Sequence, residues 1–135
     1  MRKDANPSTL LTQALVEAAF QGDLRGLREQ LAAGADANSQ GPDACPLLHY
    51  AVMGGQAKVV SLLLEAGANV NAPTKDGVTP LINAVEWGYA EVVELLVANN
   101  ADVSARDHYG RTALTVASEL SHSRIVSLLE ASGPR

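Results

Sequence analysis

Apolar residues recur along this chain with a period of 33 residues. The recurring alanines are Ala18, Ala51, Ala84 and Ala117, the leucines are Leu15, Leu48, Leu81 and Leu114, and the β-branched residues are Val59, Val92 and Ile125. Within each period an apolar segment precedes a short break, a second apolar segment follows it, and a polar stretch closes the unit. This pattern predicts a repeat protein in which every unit holds two short helices.

The period divides the chain into a short tail and four units. The tail is residues 1–7, which we expect to be frayed, and the units are residues 8–40, 41–73, 74–106 and 107–135. Each helix would be about nine to twelve residues long, which is too short to be stable alone in water. We therefore predict an all-α stack of eight helices in antiparallel pairs, with the loops projecting to one side.

Capping residues mark the expected starts of the helices. Thr79 followed by Pro80 is a strong start, because the hydroxyl caps the first turn and Pro needs no amide donor there. Ser8 or Thr9 would cap a first helix ending near residue 20, and Asp23 a second ending near residue 31. The second helix of unit two is expected over residues 57–65. Polar residues crowd both end units, so we expect these units to cap the stack and the domain, residues 8–135, to be complete.

Composition narrows the classes of function. Aromatic residues make up only 4% of a chain that is 47% hydrophobic, so the core must be built from Ala, Leu and Val. The net charge of −5, with 10 scattered basic residues, argues against a nucleic-acid partner. No apolar run is long enough to span a membrane, and the N-terminus does not resemble a signal peptide. The single cysteine, Cys45, fits a reduced thiol in a cytoplasmic protein, with nuclear entry possible in a eukaryote.

Several motifs at this spacing resemble the ankyrin repeat. They are Thr79-Pro80-Leu81, Gly88 at the break within the unit, Val92-Val93-Glu94-Leu95-Leu96, Leu48-His49-Tyr50-Ala51, and the run from Leu63 to Ala72. The resemblance covers about residues 8–135. It implies an ankyrin-repeat solenoid of helix pairs with hairpin-like loops, and a protein-binding module without catalytic activity. It also implies that His49 bonds loop backbone between neighbouring units.

The chain departs from the ankyrin pattern in four places. Ala44 stands where the turn glycine is expected, and Pro46-Leu47 stands where Thr-Pro is expected, so the first helix of unit two should start irregularly. Asn100 replaces the glycine that ends unit three, and Asn tolerates the left-handed conformation well. Ser121 replaces the glycine at the break in unit four, which predicts a positive φ there.

The sequence offers little support for catalysis or metal binding. His49, His108 and His122 share no metal-ligand spacing, and no glycine elbow surrounds a serine. No Gly-rich loop with a lysine is present to hold phosphate. We therefore expect no enzyme activity, no cofactor and no metal.

The informative residues are those that the repeat does not require. In ankyrin repeats the free positions are the loop tips and the ends of the inner helices, which face the concave side. The helix ends here are Phe20-Gln21, Met53-Gly54, Glu86-Trp87 and Glu119-Leu120, and the loop tips include Pro42, Asp43 and Cys45. The predicted partner-binding residues are Met53, Lys75, Asp76, Val78, Glu86, Trp87, Tyr89, His108, Tyr109, Arg111 and Glu119.

Two interpretations of these positions stay open. Trp87 either anchors a partner or packs over the helix ends. Glu86 and Glu119, one period apart, either attract a cationic group of a partner or form a solvated face. The leading hypothesis is a monomeric adaptor, inhibitor or regulator that binds another protein through the concave face. The alternative is a structural subunit attached through its outer helices near Arg124, and an enzyme is a distant third.

Overall fold

A computed structural model describes the backbone of residues 7–132 and the side chains of residues 12–132. Eight α-helices and one 3-10 turn (Pro42–Ala44) lie in this part of the chain. The helices are α1 Pro7–Gln21, α2 Leu24–Ala32, α3 Leu47–Met53, α4 Ala57–Glu65, α5 Pro80–Trp87, α6 Ala90–Ala98, α7 Ala113–Glu119 and α8 Ser123–Ala131. Most of the predicted tail, residues 1–6, and the end of unit four, residues 133–135, lie outside the described residues.

The helices form two layers, as the repeat predicts. The inner layer is α1, α3, α5 and α7, and each of these helices packs against the next. The outer layer is α2, α4, α6 and α8, packed in the same order, and each outer helix also contacts the inner helix that precedes it. The all-α stack of helix pairs is confirmed. None of the helices in the described region combines the length and apolar character that crossing a bilayer requires.

Small residues let the inner helices approach closely. Ala51, Ala84 and Ala117, which recur at the period, have no exposed surface. Leucine, valine and isoleucine fill the space between the two layers, and their side chains are almost completely buried: Leu27, Leu48, Val59, Val60, Leu63, Leu81, Val92, Val93, Leu96, Ile125 and Leu129. The hydrophobic core therefore runs along the whole stack, and each unit contributes one segment of it.

The lengths of the helices differ from the prediction. The outer helices have nine residues, but α3, α5 and α7 have only seven or eight, and α1 has 15. The expected cap at Ser8 or Thr9 is wrong, because α1 begins at Pro7 and contains both residues. Unit one has Leu11 where units three and four have a turn glycine. No turn therefore stops α1 from extending toward the N-terminus.

The predicted caps and breaks elsewhere are confirmed. The Asp23 carboxylate caps α2 by accepting from the Gly26 amide at 2.9 Å, and the Thr79 hydroxyl accepts from the Ile82 amide at 3.2 Å. α4 has the predicted bounds. Asn100 and Ser121 both adopt left-handed backbone, with φ of 69° and 60°.

The hairpin of unit two is irregular, as expected. Its tip closes through a bond from the Gly41 amide to the Cys45 carbonyl at 2.8 Å. Asp43 and Ala44 both have a φ near +60°, a conformation that non-glycine residues adopt at a cost. Pro46 precedes α3 and provides no side-chain cap.

Asparagine side chains connect the closing loops of successive units. The Asn38 side chain accepts from the Asn69 amide at 2.8 Å and donates to the Gly67 carbonyl at 3.0 Å. One period later, the Asn71 side chain accepts from the Asp102 amide at 2.8 Å. These bonds fix neighbouring units in register, and the recurrence of asparagine at the period is the sequence signal for them.

Candidate protein-binding surface

The predicted binding residues fall into two rows that cross the stack. One row consists of the hairpin tips, because Asp43, Asp76 and Tyr109 are one period apart. The other row consists of the C-terminal ends of the inner helices, where Phe20, Met53, Glu86 and Glu119 share one repeat position. The residues that follow them, Gln21, Gly54, Trp87 and Leu120, share the next position.

Large apolar side chains are exposed only in these rows among the described side chains. The exposed fractions are 49% for Phe20, 55% for Trp87, 72% for Tyr109 and 48% for Leu120. Phe20 and Trp87 lie in the last turn of an inner helix, Leu120 directly follows α7, and Tyr109 is at a hairpin tip. No large apolar side chain in the described parts of α2, α4, α6 or α8 is exposed to this extent.

Trp87 is held in place from one side. Its ring stacks on Tyr89, with the centroids 6.2 Å apart and the planes inclined by 8°. The Tyr89 hydroxyl donates to the Met53 carbonyl at 3.4 Å, and its ring lies against Gly55, where an added Cβ would be 3.1 Å from the ring. Tyr89 is therefore a half-buried support between units two and three, and it presents Trp87 to solvent.

One repeat position links each unit to the end of the inner helix before it. Its occupants in units two, three and four are Gln56, Tyr89 and His122. The side-chain amide of Gln56 donates to the Phe20 carbonyl at 3.3 Å. This bond corresponds to the one from Tyr89 to the Met53 carbonyl in the next unit. The His122 ring lies over Gly88, where an added Cβ would be 3.0 Å from the ring. The sequence does not reveal this role, because three different residue types perform it, although the period aligns them.

Arg111 is committed to the hairpin of unit four. Its Nε and Nη2 donate to the Asp107 carboxylate at 2.8 and 2.7 Å. Nη2 is also 3.5 Å from Glu86 in unit three, and the guanidinium lies 5.7 Å from the centre of the Tyr109 ring. Arg111 therefore joins two units and is largely used within the chain, although it was predicted to bind a partner.

The Asp107 carboxylate is buried and ionised. Burial acts to raise its pKa, but bonds from the backbone and guanidinium of Arg111 and from the Tyr109 amide outweigh burial, so the pKa is lowered. The side-chain bond to Asp107, with the charges of Asp107 and Glu86, raises the pKa of Arg111 despite its partial burial. The pair is a structural ion pair in which the carboxylate accepts several bonds.

The hairpin tips of neighbouring units also touch. Lys75 Nζ is 3.7 Å from the Asp43 carboxylate, with both side chains exposed, and the His108 amide donates to the Asp76 carbonyl at 2.9 Å. Val78 is half-buried and packs against the core. The tips thus form one continuous edge.

The site offers little for catalysis. Burial raises the pKa of the Cys45 thiol, a nearby hydrogen bond with Tyr50 lowers it, and Asp43 raises it further, with a net increase. An activated nucleophile requires the opposite shift. Within the described region, no three His, Cys, Asp or Glu side chains are grouped to hold a metal ion. A groove of about 480 Å³ lies between α1 and the hairpin of unit two, and among its described lining residues only Glu17 is ionisable.

The period, the helix pairs and the loop hairpins agree with a family comparison. A family model described as "Ankyrin repeats (3 copies)" matches residues 15–107, which is more than half of the chain. The chain belongs to the ankyrin-repeat family. Ankyrin repeats are generally protein–protein interaction modules and are typically not catalytic. Most of unit four lies outside the match, yet its helices α7 and α8 continue the same stack.

Human diacylglycerol kinase iota is one relative of this ankyrin-repeat chain. The two are 37% identical over 59 residues, which is 44% of this chain and 6% of that protein. The chain therefore corresponds to a small part of that relative. Because the likeness is confined to repeats, it does not carry over the activity that the relative's name gives.

Proposed function

We propose that this ankyrin-repeat protein is a non-catalytic adaptor, inhibitor or regulator that binds another protein through its hairpin tips and inner-helix ends. The distribution of exposed apolar side chains carries this proposal. Phe20, Trp87, Tyr109 and Leu120 all lie in the two rows on this side. Aromatic residues that are exposed and held rigidly are typical anchors of protein interfaces, and their exposure to water in the free protein has a cost that a partner would remove.

The outer surface has a different character. The described outer helices present ion pairs, such as Arg124 with Glu94 at 2.9 Å and Arg25 with Glu29 at 3.4 Å. Exposed pairs of this kind contribute little to stability or binding. A structural subunit attached through these helices would be expected to show an apolar patch on them, and no large apolar side chain in their described parts is as exposed as those of the two rows.

Affinity capture followed by hydrogen exchange tests the proposal. The full chain is immobilised and used to capture proteins from a lysate of the source organism, alongside the variants Trp87→Ala and Glu91→Ala. Glu91 is exposed on α6 and serves as the matched control. We expect Trp87→Ala to lose the partner and Glu91→Ala to retain it. In the purified complex, amides of the hairpin tips and of the ends of α5 and α7 should gain protection. Protection confined to α4, α6 and α8 would instead support the structural-subunit alternative.

A further inference from the structure

Two acidic residues end inner helices in the half of the stack that carries Trp87. Glu86 lies in the last turn of α5 and Glu119 ends α7, and neither helix has a basic residue in its last turn. The C-terminal end of a helix carries partial negative charge, so carboxylates there add to an unfavourable field. Each carboxylate directly precedes an exposed apolar side chain, Trp87 or Leu120. Negative charge and apolar surface are therefore adjacent at both helix ends.

The two carboxylates differ in their partners. Glu86 receives Arg111 from the next unit, 3.5 Å away. Glu119 is exposed and forms no salt bridge with any side chain that the structure describes. Arg111 also shows how a guanidinium is held on this surface, since it lies between carboxylates and the face of Tyr109. One cation position of the row is therefore occupied from within the chain, and the position at Glu119 is available to a cation from outside.

We propose that an acidic aromatic patch, formed by Glu86, Trp87, Tyr89, Glu119 and Leu120, binds an extended segment of a partner protein that presents an arginine beside a bulky apolar side chain. This inference rests on the proposed function and specifies the partner. The guanidinium stacks on the face of Trp87 that Tyr89 leaves uncovered and pairs with Glu119. The apolar neighbour contacts Leu120. The net charge of −5 favours encounter with a basic segment.

The patch favours arginine over lysine. A planar guanidinium stacks on an indole ring and still presents donors at its edge to a carboxylate, whereas an ammonium group is a strongly hydrated point charge. The ring of Trp87 is already fixed parallel to Tyr89. Such a fixed ring loses little conformational freedom when a flat cation stacks on it.

Peptide selection tests the inference. The immobilised full chain is used to select binders from a phage-displayed library of random dodecapeptides at low salt. We expect the enriched peptides to contain arginine next to Leu, Ile, Met or Phe. A selected peptide is then synthesised and titrated against the protein. Its binding is followed by the fluorescence of Trp87, the only tryptophan. Replacing its arginine with uncharged, isosteric citrulline should weaken binding about tenfold or more.

Variants of the protein test whether the arginine of the selected peptide pairs with Glu119. Glu119→Gln should weaken the arginine peptide about fivefold or more and leave the citrulline peptide nearly unchanged. The matched control is Glu130→Gln, which removes an exposed carboxylate from α8 and should change neither affinity. The citrulline comparison uses the unmodified protein, so it stays decisive if a variant loses stability.

Three results overturn the inference. They are enriched peptides without arginine, equal affinities of the arginine and citrulline peptides, and a library from which no peptide is enriched. None of these results decides the proposed function, because the capture experiment with Trp87→Ala does not depend on peptides. Loss of the captured partner with Trp87→Ala, together with arginine-free peptides, would leave the binding surface in place and reject only its preference for arginine.

Discussion

The side-chain amide of Asn83 donates a hydrogen bond to Nδ1 of His49 across 3.0 Å. Both side chains are buried, and they belong to α5 and α3, so the bond joins units two and three. Because Nδ1 accepts, Nε2 carries the proton and donates to the Ala72 carbonyl at 2.8 Å. The imidazole is thus neutral, fixed in one tautomer and bonded at both nitrogens. This arrangement confirms that His49 bonds loop backbone, but Ala72 belongs to the same unit as His49. The bond to the neighbouring unit goes instead to the Asn83 side chain, a partner that the sequence did not indicate.

Acidification is expected to destabilise the protein through His49. Burial lowers its pKa below the ordinary 6.5, and the bond to Ala72 offsets only part of this effect. The unfolded chain takes up a proton at His49 near pH 6.5, whereas the folded chain does so only at lower pH. The stabilisation is therefore full above pH 6.5 and declines as the pH falls, by at most about 1.4 kcal/mol per pH unit. Urea unfolding between pH 7.5 and 5.5 measures this decline.

His49→Gln is the control for that experiment, since glutamine does not titrate and can still donate to Ala72. The variant should be less stable than the parent at pH 7.5 and should show a smaller decline toward pH 5.5. Equal declines in the two proteins would show that the pH dependence arises from groups other than His49.

Glycine at two left-handed positions should stabilise the fold. Ala44 has a φ of 58° and Ser121 a φ of 60°, where a side chain is strained and glycine is not. Ala44→Gly and Ser121→Gly are each expected to raise the free energy of unfolding by about 0.5–1 kcal/mol. For Ser121→Gly a neutral result is also consistent with the strain argument.

The control for these variants is Ala14→Gly. Ala14 is exposed within α1, so the same change of side chain should cost about 1 kcal/mol there. Thermal unfolding of the three variants compares the positions directly. A clear drop in the melting temperature of Ala44→Gly or Ser121→Gly would reject the assignment of strain to that residue.

Arg111→Ala is expected to destabilise unit four. It leaves the buried Asp107 carboxylate without its cation, at a cost of about 1–3 kcal/mol. The lowered pKa of Asp107 means that this stabilisation is present above its ordinary 3.8 and is lost as the pH falls through its lower value in the folded state. Unfolding at pH 7 and at pH 3 measures both effects. The difference between variant and parent should shrink at pH 3, and an unchanged difference would contradict the ion-pair account.

The sequence predicted the repeating part of the fold well because packing imposes a period on it. The bounds of α4, the caps at Asp23 and Thr79 and the positive φ of Ser121 all follow from the aligned units and from local backbone chemistry. The sequence does not predict the length of α1, because Ser8 and Thr9 are residue types that favour a helix start but lie inside this helix.

The binding surface was less predictable, because the directions of the side chains decide which of them contact one another and which stay exposed. Trp87 and Tyr89 are two residues apart across a helix break, and only the geometry of Gly88 brings their rings into a stack. The contacts of Arg111 with Asp107 and Glu86 depend in the same way on the hairpin of unit four. Periodicity identified which positions the fold leaves free. It could not show that Arg111 would be used within the chain and Glu119 would not.

Trp87→Ala separates anchoring from surface packing. If Trp87 is an anchor, the variant should lose about 2 kcal/mol or more of binding free energy for the captured partner. Its free energy of unfolding should fall by only about 0.5–1.5 kcal/mol, the value of the lost stack with Tyr89. Calorimetric titration and urea unfolding measure the two quantities. An unchanged affinity would assign Trp87 to surface packing over the helix ends.

Leu81→Ala tests whether stability is carried by contacts between neighbouring units. Leu81 lies at the centre of the inner layer and is 1% exposed, so truncation should cost about 2–5 kcal/mol. Leu120→Ala makes the same change at an exposed position and should cost less than about 0.5 kcal/mol. Because each unit contacts only its neighbours, the cavity at Leu81 should also weaken the coupling of unit two to unit four. We expect a lower midpoint and a broader transition in urea. Retention of the parent's midpoint and cooperativity would contradict a stack whose middle unit connects its ends.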